Sequence, residues 1–277
     1  MSPSIELRLL GIGLIGPGLV SWAEGQRVLR GDVPYAPAPT VVPAPQRLPA
    51  AERRRAGAAV KVALTVADAA CLDAQLDPAT MPTVFASSSG DGANCHALCE
   101  TLAAAPGPDR LLSPTRFTNS VHNAPAGYWH IAVGSQHASA SICAHDDSFG
   151  AGLTAAVAQL TGSSRLLLLV ASDTPYPEPL QTARPIPDTL GVALVLAPAS
   201  APAGGRPVQA HLQLRLLPRP GATLTPCRDA ALEDLRSRIP AARALPLLEA
   251  VALRHPARVV LPSSAQLALE ITLNFEP

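Results

Sequence analysis

The chain has 277 residues, 48% of them hydrophobic and 15% charged, which supplies a sizeable core and excludes a disordered, charge-rich chain. Its 21 lysines and arginines balance 21 aspartates and glutamates, so no net field draws it to nucleic acid or to an anionic membrane. Five cysteines at irregular spacing describe no disulfide framework and fit a reducing, cytoplasmic setting.

Residues 5–13 read as a buried strand ending in Gly11, Gly13, Gly16 and Gly18, which are expected to force a turn. The apolar run 9–20 follows Glu6 and Arg8 and contains those glycines and Pro17, so it belongs to the fold and not to a secretory leader. No other apolar stretch approaches the length of a membrane span. A short helix over 21–29 comes next. Residues 34–49 carry six prolines and predict an extended surface loop inside a single domain spanning 1–277.

Val60, Leu64, Ala67 and Cys71 recur at helical steps and predict one helix over 51–72, with Pro78 stopping anything beyond it. A strand at 83–86, a polar turn at 87–92 and a helix at 95–105 ended by Pro106 follow. Then come a helix at 124–133, a strand at 138–144, a helix at 148–160 and a strand at 165–172. The unbroken apolar run Leu166, Leu167, Leu168, Leu169, Val170 is that of a strand covered on both faces, so the alternation describes a layered α/β core. Beyond Leu190 the pattern gives strands at 191–197 and 208–217, helices at 230–239 and 245–255, and strands at 257–261 and 266–273.

Gly11, Gly13 and Gly16 have the spacing of a dinucleotide-binding turn, but the proline-rich loop stands where the strand ending in a ribose-holding acid belongs. Cys95, His96 and Cys99 share a predicted helix with no second ligand pair elsewhere, and His122, His130, His137 and His145 fall on separate elements. No cofactor and no metal are expected.

The segment 113–162 is the most informative. Asn123, Ala126, Gly127 and Gly134, followed by the strand 138–144 and a small-residue helix, resemble the run into the nucleophile of beta-ketoacyl synthases. Phe117, Asn119, Ser120, His122 and Asn123, with Asp147, Ser148, Phe149 and Gly152, are similar to the shorter ketosynthase-like proteins of aryl polyene and xanthomonadin-type pigment pathways. The resemblance implies a thiolase-like half: an α/β fold with a mixed five-stranded sheet, helices on both faces and a short divergent C-terminal portion.

In that family a cysteine sits where the strand turns into the helix, at a helix N-terminus that favours its thiolate. Two registers compete here. Without a gap the position falls on Asp146; deleting three residues puts Cys143 there. The ungapped register is preferred, and Asp146 and Asp147 are expected to accept the free N–H groups of the following helix, the donors a thiolate would otherwise use. Decarboxylative condensation also needs two basic donors in the C-terminal half. After residue 146 the only histidines are His211 and His255, and the only lysine of the chain is Lys61.

The resemblance therefore implies a non-catalytic, chain-length-factor-like subunit that heterodimerises with an active ketosynthase in a type II polyketide or fatty-acid-like pathway, and meets acyl carrier protein through that complex. Its dimer strand would be Gln136, His137, Ala138, Ser139, Ala140, Ser141, Ile142 and Cys143. Phe117, Asn119, His122, Asn123, Ser148 and Phe149, with Asp146, would line the interface or the acyl tunnel. The alternative is an acyltransferase or condensing enzyme using Cys143 with His145 or His122; a third reading is a homodimeric acyl-binding or regulatory module.

Overall fold

Nine of the eleven residues of β1 (Ile5–Ile15) are buried, because from Leu7 on the strand is leucine, isoleucine and glycine except for Arg8, whose guanidinium is buried on the Pro198 and Ala201 carbonyls. The structure, a computed structural model, describes residues 4–104, 111–202 and 206–275. After β1 come α1 (Trp22–Arg30), α2 (Ala50–Arg55), α3 (Ala58–Asp73), β2 (Thr83–Ala86), α4 (Gly92–Ala104), α5 (Pro114–Asn119), α6 (Ala124–Val133), β3 (Ser139–Ile142) and α7 (Ser148–Leu160). β4 (Leu167–Asp173), α8 (Leu180–Ala183), β5 (Leu190–Pro198), β6 (Ala210–Pro218), α9 (Ala230–Arg238), α10 (Leu245–Leu253), β7 (Ala257–Pro262) and β8 (Leu267–Asn274) complete it.

The eight strands of the described residues form one sheet in the order β3-β2-β4-β5-β1-β6-β8-β7. β2 pairs in parallel with β3 and β4, and every other pairing is antiparallel. The mixed five-stranded sheet expected from the sequence is the run β3-β2-β4-β5-β1. The strand count is corrected to eight because β5 takes only one edge of β1, and β6 pairs along the other from Ile5 to Leu9. The C-terminal strands thus extend the same sheet.

Helices cover both faces, as the α/β reading requires. One core joins α3 and α6 to the sheet through Val62, Val66, Ala70, Trp129, Leu168 and Val195. The other joins α1, α7, α10 and the 3-10 turn Pro240–Ala244 through Leu29, Phe149, Leu153, Leu248, Leu169 and Leu194. Among the described residues no helix is long and apolar enough to cross a membrane.

Three sequence expectations need correction. Gly11 and Gly13 make no turn; they lie inside β1, where a Cβ would overlap the backbone oxygens of Ala70 and Val66, so they let α3 lie directly on the strand. The turn is made by Gly16 and Leu19, which exchange backbone hydrogen bonds, with Gly18 at φ +65°. The helix read over 51–72 is broken into α2 and α3 at Ala56 and Gly57, both in extended backbone, and Gly57 lets the Asp91 carboxylate approach the break. The strand read over 138–144 is only Ser139–Ile142, since the chain turns at Ala144 into a 3-10 turn, His145–Asp147. α5 was not foreseen; Ser113 caps it and Pro114 opens it. The expected end of α4 at Ala105 and Pro106 lies outside the described residues.

Candidate functional site

The parallel strands β2, β3 and β4 end on the same side of the sheet, and three connections meet there: residues 87–91, residues 143–147 and the segment that follows Asp173. Asp146 and Asp147 do stand at the start of α7, with His145 just before them at φ +53°. Their carboxylates do not cap the helix, however: Asp147 is the N-cap residue and makes no side-chain capping bond. Guanidinium groups hold both instead, since a charge-assisted pair outbids a neutral amide. Arg184 Nη2 donates to Asp146 Oδ1 at 2.6 Å, and Arg219 donates to Asp147 Oδ2 and to the Ser264 carbonyl. The turn itself is tied by Ser148, whose Oγ accepts from the Ala144 N–H at 3.0 Å and donates to the His145 carbonyl at 2.7 Å.

Arg184 has a second engagement. It donates to the Tyr176 hydroxyl and lies 5.5 Å from the centroid of that ring, a cation–π contact with a buried phenol. Tyr176 in turn shares a 3.3 Å hydrogen bond with Ser88 Oγ. The Ser88 N–H donates to Asp173 Oδ1 at 2.8 Å, and the Ala241 N–H donates to Asp173 Oδ2 at 2.8 Å. Burial pushes the Asp173 carboxyl above its ordinary value, against the pull of those hydrogen bonds.

The nucleophile candidate of the alternative register docks on the same loop. The Cys143 thiol is exposed and donates to the Ser88 carbonyl at 3.2 Å. His122 Nε2 is 3.0 Å from the adjacent Ser87 carbonyl, so His122 and Cys143 approach the same pair of peptide units. His145 turns elsewhere: its Nδ1 is 3.4 Å from Asp146 Oδ1, and the ring is 70% exposed.

The remaining predicted residues separate. Phe117 is 63% exposed on α5. Asn123 is exposed and precedes α6 without capping it. Asn119 is buried, donating to the Arg55 carbonyl at 2.8 Å and accepting from the Tyr128 hydroxyl at 2.9 Å, so it fixes α5 to its neighbours. Ser148 and Phe149 are buried, Phe149 fully so within the core. His211 sits near the end of β6 remote from Arg219, ~25 Å along the strand. His255 precedes β7, whose opposite end, Pro262, lies against Gly150 of α7. Both histidines beyond the elbow are thus held away from it.

Among the described residues one edge of the sheet is covered and one is open. Beyond β7, Thr225 donates to the Val260 carbonyl through its N–H and accepts the Val260 N–H on its Oγ1. β3 is the other edge; Gln136, His137, Ala138 and Ser139 are exposed and Ala140, Ser141 and Ile142 half-buried along it. Sequence reasoning missed Asp173, Tyr176, Arg184 and Arg219. A signal existed only for Asp173, a lone charge closing a strand of buried apolar residues.

Parallel strands that run into a strand–turn–helix elbow, within an α/β sheet covered on both faces, define a ketosynthase-like protein of the thiolase-like fold. Residues 22–226 match the beta-ketoacyl synthase N-terminal domain, and the chain belongs to that family. Its fold is similar to that of a ketosynthase in complex with its chain length factor from Xenorhabdus doucetiae, with a TM-score of 0.70 and 21% identity over 97% of this chain and 99% of that one. It is also similar to the ishigamide ketosynthase/chain length factor, at a TM-score of 0.71 and 15% identity over 98% and 99%. A third likeness is to a type II polyketide synthase acyl carrier protein in complex with its ketosynthase bound to the hexaketide, at a TM-score of 0.72 and 11% identity over all of both chains. No curated protein matches the sequence significantly.

Proposed function

We propose that this chain is a non-catalytic, chain-length-factor-like subunit that pairs with an active beta-ketoacyl synthase in a type II polyketide or fatty-acid-like pathway of the aryl polyene type. The whole chain acts as one ketosynthase-like domain in the cytoplasm and meets acyl carrier protein through the complex. The observation that supports this reading is at the elbow, where Asp146, the residue that the ungapped register puts at the nucleophile position, is bound by Arg184, with His211 and His255 toward the far ends of β6 and β7. A carboxylate paired to a guanidinium does not attack a thioester. The open β3 edge gives a partner its place, since an uncovered strand offers a row of N–H and C=O groups to a second chain. The interface then involves the dimer strand from Gln136 to Cys143 together with Phe117, His122 and Asn123.

The test is to tag the protein in its native host, purify it gently and identify by mass what co-elutes in fixed ratio. A complete cysteine-and-histidine ketosynthase at one to one is the expected result; recovery as a stable homo-oligomer sinks the heterodimer.

A second reading keeps the chain as an enzyme. The exposure of Cys143, and the approach of His122 to the carbonyl next to the one Cys143 holds, favour it. It requires that Cys143 become acylated by an acyl thioester at neutral pH and that Cys143→Ala abolish the labelling. On the non-catalytic reading neither wild type nor variant is labelled.

A further inference from the structure

Three connections make the surface around the elbow, and Arg184 and Tyr176 supply one of the side-chain ties between them. Arg184 binds Asp146 in the 143–147 turn and Tyr176 in its own segment. Tyr176 binds Ser88 in the 87–91 loop. Ser88 in turn receives the Cys143 thiol on its carbonyl and gives its N–H to Asp173, while Ser87 beside it engages His122. From Asp146 to His122 these residues form one continuous path, and its side-chain link from the 143–147 turn to the 87–91 loop is the chain Asp146–Arg184–Tyr176–Ser88, beside which Asp173 holds the Ser88 N–H and the Ser87 hydroxyl. The same path borders β3, whose last residue, Ile142, accepts the Ser87 N–H at 3.1 Å. Arg184 is planar and forked, so it can hold a carboxylate and a phenol at once while stacking on the ring, which a lysine cannot.

We infer that Arg184 and Tyr176 are positioning residues that set the shape of the partner-facing surface, acting through Asp146 and Ser88. The functional consequence rests on the partner reading above; the positioning does not. Removing either residue cuts the side-chain link between the 143–147 turn and the 87–91 loop while Asp173 and Ile142 still hold the loop's backbone, so the Cys143 thiol sits less firmly on the Ser88 carbonyl.

The cysteines of the chain make the assay. Cys143 reports the loop, exposed Cys99 reports reagent access, and buried Cys71 and Cys227 report global opening. With N-ethylmaleimide on the folded full-length protein, Arg184→Ala is expected to speed Cys143 alkylation severalfold, up to the ~10-fold scale of one lost charge-assisted hydrogen bond. Tyr176→Phe speeds it less, and Arg184→Lys falls between Arg184→Ala and wild type. Cys99 keeps its rate and Cys71 and Cys227 stay unreactive. Unchanged Cys143 rates overturn the assignment, and so does a rise at Cys71 and Cys227 in step with Cys143. These rates need no ketosynthase, so failure of the partner reading is distinguishable. In the reconstituted complex the same variants are expected to shift the product chain-length distribution at unchanged complex yield; faster alkylation with an unshifted distribution overturns the shape-setting role.

Discussion

Asp173 and Ala241 lie 68 positions apart, and the Asp173 carboxylate accepts the Ala241 backbone N–H at 2.8 Å while its other oxygen holds the Ser88 N–H at the same distance. One buried side chain thus fastens the end of β4 to the loop after β2 and to the 3-10 turn Pro240–Ala244. Asp173→Asn turns one of the two acceptors into a donor facing an N–H, which should cost about 1–3 kcal/mol. Urea denaturation of wild type and variant measures it.

The same residue makes a pH prediction. Burial raises the folded-state pKa of Asp173 above its unfolded value of about 3.9. The native state therefore binds more protons in the window between the two values, and stability attributable to this group falls as pH rises through it. Wild type minus Asp173→Asn, followed from pH 4 upward, should slope downward across that window and then level off. A difference that is flat, or that slopes the other way, would show that the hydrogen bonds to Asp173 offset its burial.

Glu270 titrates in the opposite sense. It is buried on β8 between Arg215 of β6 and Arg258 of β7, whose guanidiniums both bind it, and these hydrogen bonds hold its carboxyl below the usual range. Its contribution is present above the unfolded pKa of about 4.3 and is lost as pH falls through the folded value. Glu270→Gln should lower the urea midpoint at pH 7 and lose that deficit in acid. Both arginines reach solvent, so the effect should be modest and reduced by salt.

The glycines of β1 carry a prediction about packing. A Cβ at Gly13 would overlap the Val66 carbonyl of α3, and one at Gly11 the Ala70 carbonyl. Backbone cannot rotate aside as a side chain can, so Gly13→Ala should cost at least the 1–3 kcal/mol typical of overpacking, roughly, and Gly31→Ala should cost less by this mechanism. Gly31 has nothing within 4 Å but a φ of +87°, so its penalty is conformational alone. Thermal melts of the two variants separate the mechanisms.

These contrasts mark what the sequence could reveal. α6 and α7 occupy the residues read for them, because Gly134 ends one with a left-handed cap and the small-residue run of the other carries its own helical period. β4 declares itself by consecutive leucines. Gly11 and Gly13 were misread as a turn because the reason for them, the α3 backbone, is far away in the chain. The partners of Asp146 and Asp147 were equally hidden: Arg184 is 38 positions on and Arg219 is 72. A helix-start carboxylate looks like a cap until those arginines are seen, and no local pattern announces them.

The open sheet edge is the feature most directly testable for function. The carbonyls of Ala138 and Ile142 both bond to β2, accepting the Thr83 and Ser87 N–H groups at 3.0 and 3.1 Å. Alternate residues of a strand direct their main-chain groups to the same side, so the N–H groups of Ser139 and Ser141 face away from β2, toward whatever covers the edge. Proline at 141 removes one outward donor and none of the bonds to β2, a substitution edge strands tolerate. Ser141→Pro should therefore melt within about 4 °C of wild type yet lose the ketosynthase in the native-host pull-down, because a strand-paired partner cannot pass a missing donor and the proline ring together. Phe117→Ala, exposed on α5, should weaken the same complex without touching β3. If Ser141→Pro co-purifies with the ketosynthase as fully as wild type does, the partner does not pair along β3 and its contact must lie on the α5 and α6 side alone.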